Sequence, residues 1–296
     1  MPYYQPGILA SPVPVAARHL FFRLDAPHAL PAALERLGRM VDGDAMVAGL
    51  GESLVHALAA RIPGLRSFVA LSGVGVDVPS TQHALWCWLR GEDRGELLHR
   101  SRALEAALAP ALRLVQTSDA FRHKTGHDLS GYEDGTENPQ GEAALHAAFL
   151  DDAPAGLHGS SFAVIQHWLH DFDQLASFAP QEQDHLMGRR KSDNEELEDA
   201  PESAHVKRTA QESFSPEAFL LRRSMPWSEG NRAGLAFLAF GHSFAAFEVQ
   251  MRRMAGLDDG IVDGLFRFSR PIDGGYYWCP PMRDGHLDLS ALGLKH

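Results

Sequence analysis

Between Arg18 and Gln116 the chain alternates strand-like and helix-like stretches in an order that few architectures accept. RHLFFRL (18–24) is strand-like, and ALPAALERLGRMVD (29–42) has helical apolar spacing, with Pro31 placed where a first helical turn tolerates it. SFVAL (67–71) and ALWCWL (84–89) read as strands. Residues 93–109 set Leu97, Leu98, Leu104 and Leu108 on roughly one helical face, and LRLVQ (112–116) returns to β. The order β-α-β-β-α-β then recurs. SSFAVIQHWLHD (160–171) is a strand, DQLASFAPQEQDHLMGR (173–189) is helical with a break at Pro180, and AFLLRRS (218–224) and LAFLAFG (235–241) are strands. SFAAFEVQMRRMAG (243–256) supplies the next helix and GYYWC (275–279) the closing strand.

A βαββαβ run forms a ferredoxin-like unit, an antiparallel sheet with its helices on one face. The expectation is an α+β chain of two tandem ferredoxin-like halves, 1–150 and 151–296, each opened by a strand, a short acidic turn and a helix (FFRLDAPHALPAALERLG and IQHWLHDFDQLASFAPQEQ). A length of 296 residues, beyond one ordinary core, agrees. The acidic stretch 190–212 has no periodic pattern, so it reads either as a solvated connector or as a functional loop.

Charge narrows the function. The 27 Lys+Arg against 38 Asp+Glu leave a net −11, which repels nucleic acid and anionic lipid. Two cysteines, Cys87 and Cys279, are too few for a disulfide framework and fit a reducing compartment. MPYYQPGILASPVPV has no basic leader and apolar core, no run of about 18 apolar residues occurs, and ALGLKH leaves no long appendage. These features set the expectation of a cytoplasmic, unanchored protein with no sorting tail. Two similar halves with sheet edges suggest a homo-oligomer, a dimer or higher.

The sharpest local string is GYEDGTENP, from Gly131 to Pro139. Gly131 and Gly135 bracket Asp134 where neither a regular helix nor an unbroken strand can run, so the backbone can approach a ligand closely. By itself Asp-Gly is also ordinary turn chemistry. Further down the chain, His205 in AHVKRT lies 71 residues after Asp134, and Arg222 and Ser224 in RRSMP lie 17 and 19 residues after that.

In this order the residues resemble the GxxDGT signature and site positions of the dye-decolourising peroxidases. QPGIL and FSRPIDGGYYWCPP resemble the bacterial, cytoplasmic, YfeX-like subgroup, so that the likeness spans nearly the whole chain. It implies heme b (iron protoporphyrin IX) held by His205 as axial metal ligand, in the second half together with Arg222, while the first half carries the GxxDGT motif. It implies an enzyme that reduces hydrogen peroxide through a ferryl (compound I) intermediate and oxidises dyes, phenolics or other one-electron donors.

The chemistry gives each residue a task. A carboxylate on the far ring nitrogen raises an imidazole ligand's basicity; Asp263 is the choice by position and Asp273 the second. Asp134 would shuttle the peroxide proton, Arg222 would stabilise developing negative charge, and Ser224 would order a water. Gly135 and Thr136 would pack on the macrocycle edge, Leu235 and Phe237 would wall the cavity, and Arg208 with Lys207 would meet the carboxylates of the cofactor. Plain core packing or solvated charge competes for each of these. Of Arg222 and Arg223, one is expected to be structural. His123 and His127 have i, i+4 spacing but no third ligand nearby in sequence. The alternative is a heme-handling protein for storage, delivery or iron release with incidental peroxidase activity, and a third reading is a heme-free interaction protein. Asp134 beside Arg222 separates the first two, because a carrier needs no proton shuttle.

Overall fold

The computed structural model describes residues 3–294; Met1, Pro2, Lys295 and His296, at the ends of the leader and tail strings read above, lie outside the described residues. The first βαββαβ run is β1 (Ala16–Leu24), α1 (Leu30–Met40), β2 (Met46–Leu50), β3 (Leu85–Gly91), α2 (Arg94–Leu108) and β4 (Leu112–Phe121). The second is β5 (Ser161–His170), the helix pair α3 (Phe172–Ser177) and α4 (Pro180–Met187), β6 (Met225–Glu229), β7 (Arg232–Gly241), α6 (Ala245–Met254) and β8 (Gly275–Cys279). A one-turn helix, α5 (His205–Arg208), precedes β6.

The strand order within each run is 2-3-1-4, the ferredoxin-like order: β2-β3-β1-β4 in the first and β6-β7-β5-β8 in the second. All these pairings are antiparallel. The fourth strand of each sheet meets the second strand of the other at a single residue pair, Ala120–Trp227 at one seam and Trp278–Leu50 at the other. Eight strands of the described residues therefore close into one ring. Alternation along the strands divides the core: Phe21, Trp86, Trp88, Tyr277 and Phe240 fill the inside of the ring, and Leu20, Phe22, Leu85 and Leu89 face the helices.

Local chemistry accounts for the helices. α1 buries Leu30, Ala33, Leu34 and Leu37 at i, i+3, i+4 and i+7, the stripe that packs a helix on a sheet. Asp93 caps α2 by accepting from the Glu96 N–H at 2.8 Å. Leu97, Ser101, Leu104 and Leu108 form its buried face, and Leu98, expected there, is 43% exposed.

Of the strand expected at 67–71, residues 67–70 are loop, with Val69 75% exposed, Leu71 opens a short strand (Leu71–Gly73) outside the run, and the second strand of the first run is Met46–Leu50. All five of its residues are buried, so it shows no alternation, and an apolar run of that kind carries no period to read. The strand expected over 218–224 shrinks to Leu221–Arg222, and Met225–Glu229 forms β6. The stretch 190–212 contains α5. Cys87 and Cys279 are buried free thiols, and burial pushes both thiol pKa values up.

Candidate active site

A cavity opens between the outer face of the second sheet and α6. Its floor alternates along two paired strands, with Leu235 and Phe237 from β7 beside Trp168 and Gln166 from β5. Its roof holds Phe247, Met251 and Met254, one side is formed by the GYEDGTENP loop and the other by α5. The space between these walls measures about 1410 Å³, its open mouth included.

The loop is fixed by its own backbone. Asp134 N–H donates to Gly126 O at 3.1 Å, and Asn138 N–H donates to Gly135 O at 3.0 Å. Gly135 takes φ +81°, and a Cβ there would stand 2.8 Å from Asn138 Nδ2, so glycine is required. Asp134 Oδ1 then lies 3.7 Å from Arg222 Nε, with both side chains about four-fifths buried (23% and 18% exposed). That gap exceeds a hydrogen bond, and an oxygen placed beside the pair can reach both groups. Arg222 hangs from the short strand paired to β7 opposite Ala239, and the carboxamide of Asn138 grips its peptide. Its neighbour Arg223 is the structural one of the two, donating to the carbonyls of Ile8 and Leu9.

Opposite, His205 is the first residue of α5 and lines the cavity. Its Nδ1 lies 2.8 Å from Asp263 Oδ2, and Asp263 Oδ1 accepts the Leu265 N–H at 2.8 Å. The Asp263 side chain is 0% exposed, and a buried carboxylate of this kind is tolerable only because both oxygens are bonded. A carboxylate accepts, so Nδ1 is the donor of this bond, and in the neutral imidazole the lone pair is then on Nε2. Approach of the preceding loop to α5 depends on Gly188 at φ +86°, where a Cβ would come 2.4 Å from Val206 Cγ2.

Of the residues singled out in the sequence, Asp134, Gly135, Thr136, His205, Arg222, Leu235 and Phe237 line this one cavity, and Asp263 stands directly behind His205. Four others do not join them. Asp273 accepts from His167 and Gln116 inside the ring, far from His205 in the hydrogen-bond network. Arg208 turns away from the cavity: its guanidinium is 5% exposed, both Nη atoms bond Asp259 at 2.7 Å, and Nη2 also donates to Arg253 O. Lys207 is likewise spent on Ala200 O and Glu202. Ser224 is outside the lining, its Oγ accepting from Leu238 N–H at 3.4 Å. His123 and His127 pair in a β-bridge, and no cluster of three metal-binding side chains occurs among the described residues.

Several lining residues escaped the sequence reading. His170 is buried and bonded at both nitrogens, Nδ1 to Ser269 Oγ at 2.7 Å and Nε2 to Asp128 Oδ1 at 3.0 Å. Burial alone would raise the Asp128 carboxyl, but His170 and the two Ser130 hydrogen bonds hold it below the usual range. Gln166, Trp168 and His170 follow the period of two that puts them on one face of β5, a signal available once that strand is recognised. Two buried atoms on the wall, Ser130 Oγ and Gln166 Nε2, have no partner in the protein. Unmet polar atoms, apolar surfaces from Leu235, Phe237, Phe247 and Met251, and an imidazole in the same cavity fit a large ligand that carries a metal, an apolar body and oxygen groups.

A family profile described as Dyp-type peroxidase, C-terminal, matches residues 125–284, more than half of the chain and all of the cavity's principal side chains. The chain belongs to the Dyp-type peroxidases. The dye-decolorizing peroxidase of Rhodococcus erythropolis is 29% identical over 294 residues, covering 93% of this chain and 86% of that one. A putative Dyp-type peroxidase from Shewanella oneidensis superposes with a TM-score of 0.88 at 23% identity, over 100% of this chain and 99% of that one. A variant of DypB from Rhodococcus jostii RHA1, solved in complex with heme, gives 0.81 at 25% identity over 92% and 94%. As a Dyp-type peroxidase the chain is an oxidoreductase acting on peroxide, with an electron donor as second substrate. No helix among the described residues is long and apolar enough to cross a membrane.

Proposed function

We propose that this Dyp-type peroxidase binds heme b in the cavity and reduces hydrogen peroxide there, oxidising dyes, phenolics or other one-electron donors. The observation that carries the reading is the placement of His205: it lines the cavity with its Nδ1 engaged by the Asp263 carboxylate at 2.8 Å, an arrangement that leaves Nε2 to serve as the ligand atom. The heme bound by the Rhodococcus jostii relative supports the choice of cofactor.

In this reading His205 would hold the iron, and Leu235, Phe237, Phe247, Met251, Gly135 and Thr136 would line the space taken by the macrocycle. Bound heme supplies the two electrons that cleave the peroxide bond. Asp134 would accept a proton from one peroxide oxygen and return it to the other as that oxygen departs as water. Arg222 would stabilise, through its guanidinium, the negative charge that develops as the bond breaks. Pairing of the two confines both tasks to one side of the cavity. The halves 1–150 and 151–296 divide the labour, the first providing Asp134 and the second His205 and Arg222.

The test is the absorption spectrum of the protein purified with ample heme. Wild type is expected to show a Soret band that responds to one equivalent of peroxide, and His205→Ala to lose the band or retain it only weakly. A His205→Ala variant with an unaltered axial-histidine spectrum overturns the assignment.

A further inference from the structure

Gln166 is 0% exposed, and its Nε2 is one of the two unpartnered polar atoms on the cavity wall. The orientation of its carboxamide is set by chemistry. Oε1 accepts the indole N–H of Trp168 at 3.2 Å, and an indole nitrogen can only donate, so the amide cannot be flipped and the NH2 must be the free end. A buried amide donor without an acceptor is costly, which points to a ligand oxygen or anion as its missing partner.

Register places this donor near the reacting side of the site. Gln166 pairs with Phe237 on β7, and Arg222 pairs with Ala239, two residues further along the same strand and on the same face. Ordinary strand spacings put the two backbones about 12 Å apart, a distance that extended arginine and glutamine side chains can share. Ser130, the other unpartnered atom, sits with Asp128 and His170, four residues along β5 from Gln166 and about 13 Å away by strand rise. Ser224, the polar residue the sequence offered as a third member beside Asp134 and Arg222, does not line the cavity.

Resting on the heme reading above, we infer that Gln166 completes the polar set beside Asp134 and Arg222, its Nε2 donating to the oxygen or small anion bound on the open face, with Trp168 as the positioning residue that aims it. The shared chemistry is an acceptor oxygen, and two sources exist, a small ligand on the open face or a carboxylate of the porphyrin. The position beside Phe237 and Arg222 favours the first.

The experiment compares heme-loaded wild type with Gln166→Met, which keeps the side-chain volume and donates nothing. Fluoride titrated into the ferric protein and followed in the Soret region reads the donors around a bound anion, and heme loss to apomyoglobin reads the grip on the porphyrin. The fluoride Kd is expected to rise about tenfold, the loss of one hydrogen bond to a charged acceptor, with heme loss unchanged. Gln166→Asn, which withdraws the same amide by one methylene, is expected to move Kd in the same direction and serves if the Met variant folds poorly. A wild-type fluoride Kd in the variants overturns the inference, as does faster heme loss with an unchanged fluoride Kd, which would assign Nε2 to the porphyrin carboxylate. Wild type that takes up no heme sinks the underlying reading, and this inference with it; a heme-bound wild type with variants of unchanged fluoride affinity sinks the inference alone.

Discussion

Asn138 grips the Arg222 peptide from both sides: its Oδ1 accepts the Arg222 N–H at 2.7 Å, and its Nδ2 donates to the Arg222 carbonyl at 3.0 Å. The loop carrying Asp134 is thereby clamped to the strand carrying Arg222, so the 3.7 Å separation of the two is built into the backbone.

Asn138→Ala is expected to slow the second-order reaction with peroxide about tenfold through misplacement of Arg222, without loss of heme. Arg222→Ala, which removes the charge itself, is expected to cost about 10²-fold or more. Stopped-flow mixing with peroxide checks both, and equal rates for wild type and Asn138→Ala would deny the clamp a functional part.

Asp263→Asn removes a buried negative charge from His205 but leaves a group able to hydrogen-bond. The imidazole becomes a poorer electron donor, so the ferric/ferrous reduction potential is expected to rise while the axial histidine is kept. Spectroelectrochemical titration measures this. A potential equal to that of wild type would show that the carboxylate only orients the ring.

Arg208→Ala is expected to lower the unfolding midpoint and leave heme retention unaltered. Its guanidinium ties α5 to the loop at Asp259 and to the end of α6 through Arg253 O, away from the cavity. Thermal melting and transfer of heme to apomyoglobin separate the two effects, and a variant that melts normally but sheds heme would restore Arg208 to the site.

His19 sits inside the ring, where burial first and the His167 charge second push its pKa down from 6.5 to about 3, against the opposing charge of Asp273. The unfolded chain therefore takes up a proton near pH 6.5 that the folded protein refuses until about pH 3. Stability from this group is full above pH 6.5 and declines as pH falls toward the folded value, by about 2 kcal/mol between pH 6.5 and 5. His19→Gln, which retains an acceptor for Trp86 Nε1, is expected to flatten that slope. Urea unfolding at pH 7 and pH 5 tests it; parallel losses in both proteins would mean that His19 does not set the acid sensitivity.

Long strands rich in aromatic and branched aliphatic residues announced themselves in the sequence, as β1 and β5 did. β2 did not, because Met46–Leu50 is five residues long and contains Ala48 and Gly49, residues of low strand preference; Gly49 is dictated by contact with Tyr277 Cβ, which a Cβ would approach to 2.7 Å. The site divides in the same manner. Asp134, His205 and Arg222 were legible as an ordered motif set, whereas the choice between Asp263 and Asp273 depends on which loop returns beneath α5. Arg208 misled because charge beside a motif says nothing of the direction in which a long side chain leaves the backbone. Gln166 was invisible, since a glutamine in a strand is unremarkable until its amide is found buried without an acceptor.

Closure of the ring by β8 has a consequence for biosynthesis. This strand is the last of the eight to leave the ribosome, and it inserts between β5 and β2, so a nascent chain shorter than about 280 residues has an open sheet even though Asp134, His205 and Arg222 have all been translated. Assembly of the oxidising centre is thus deferred until β8 has been made, and a chain cut before Gly275 would be left with a gap between its two sheets.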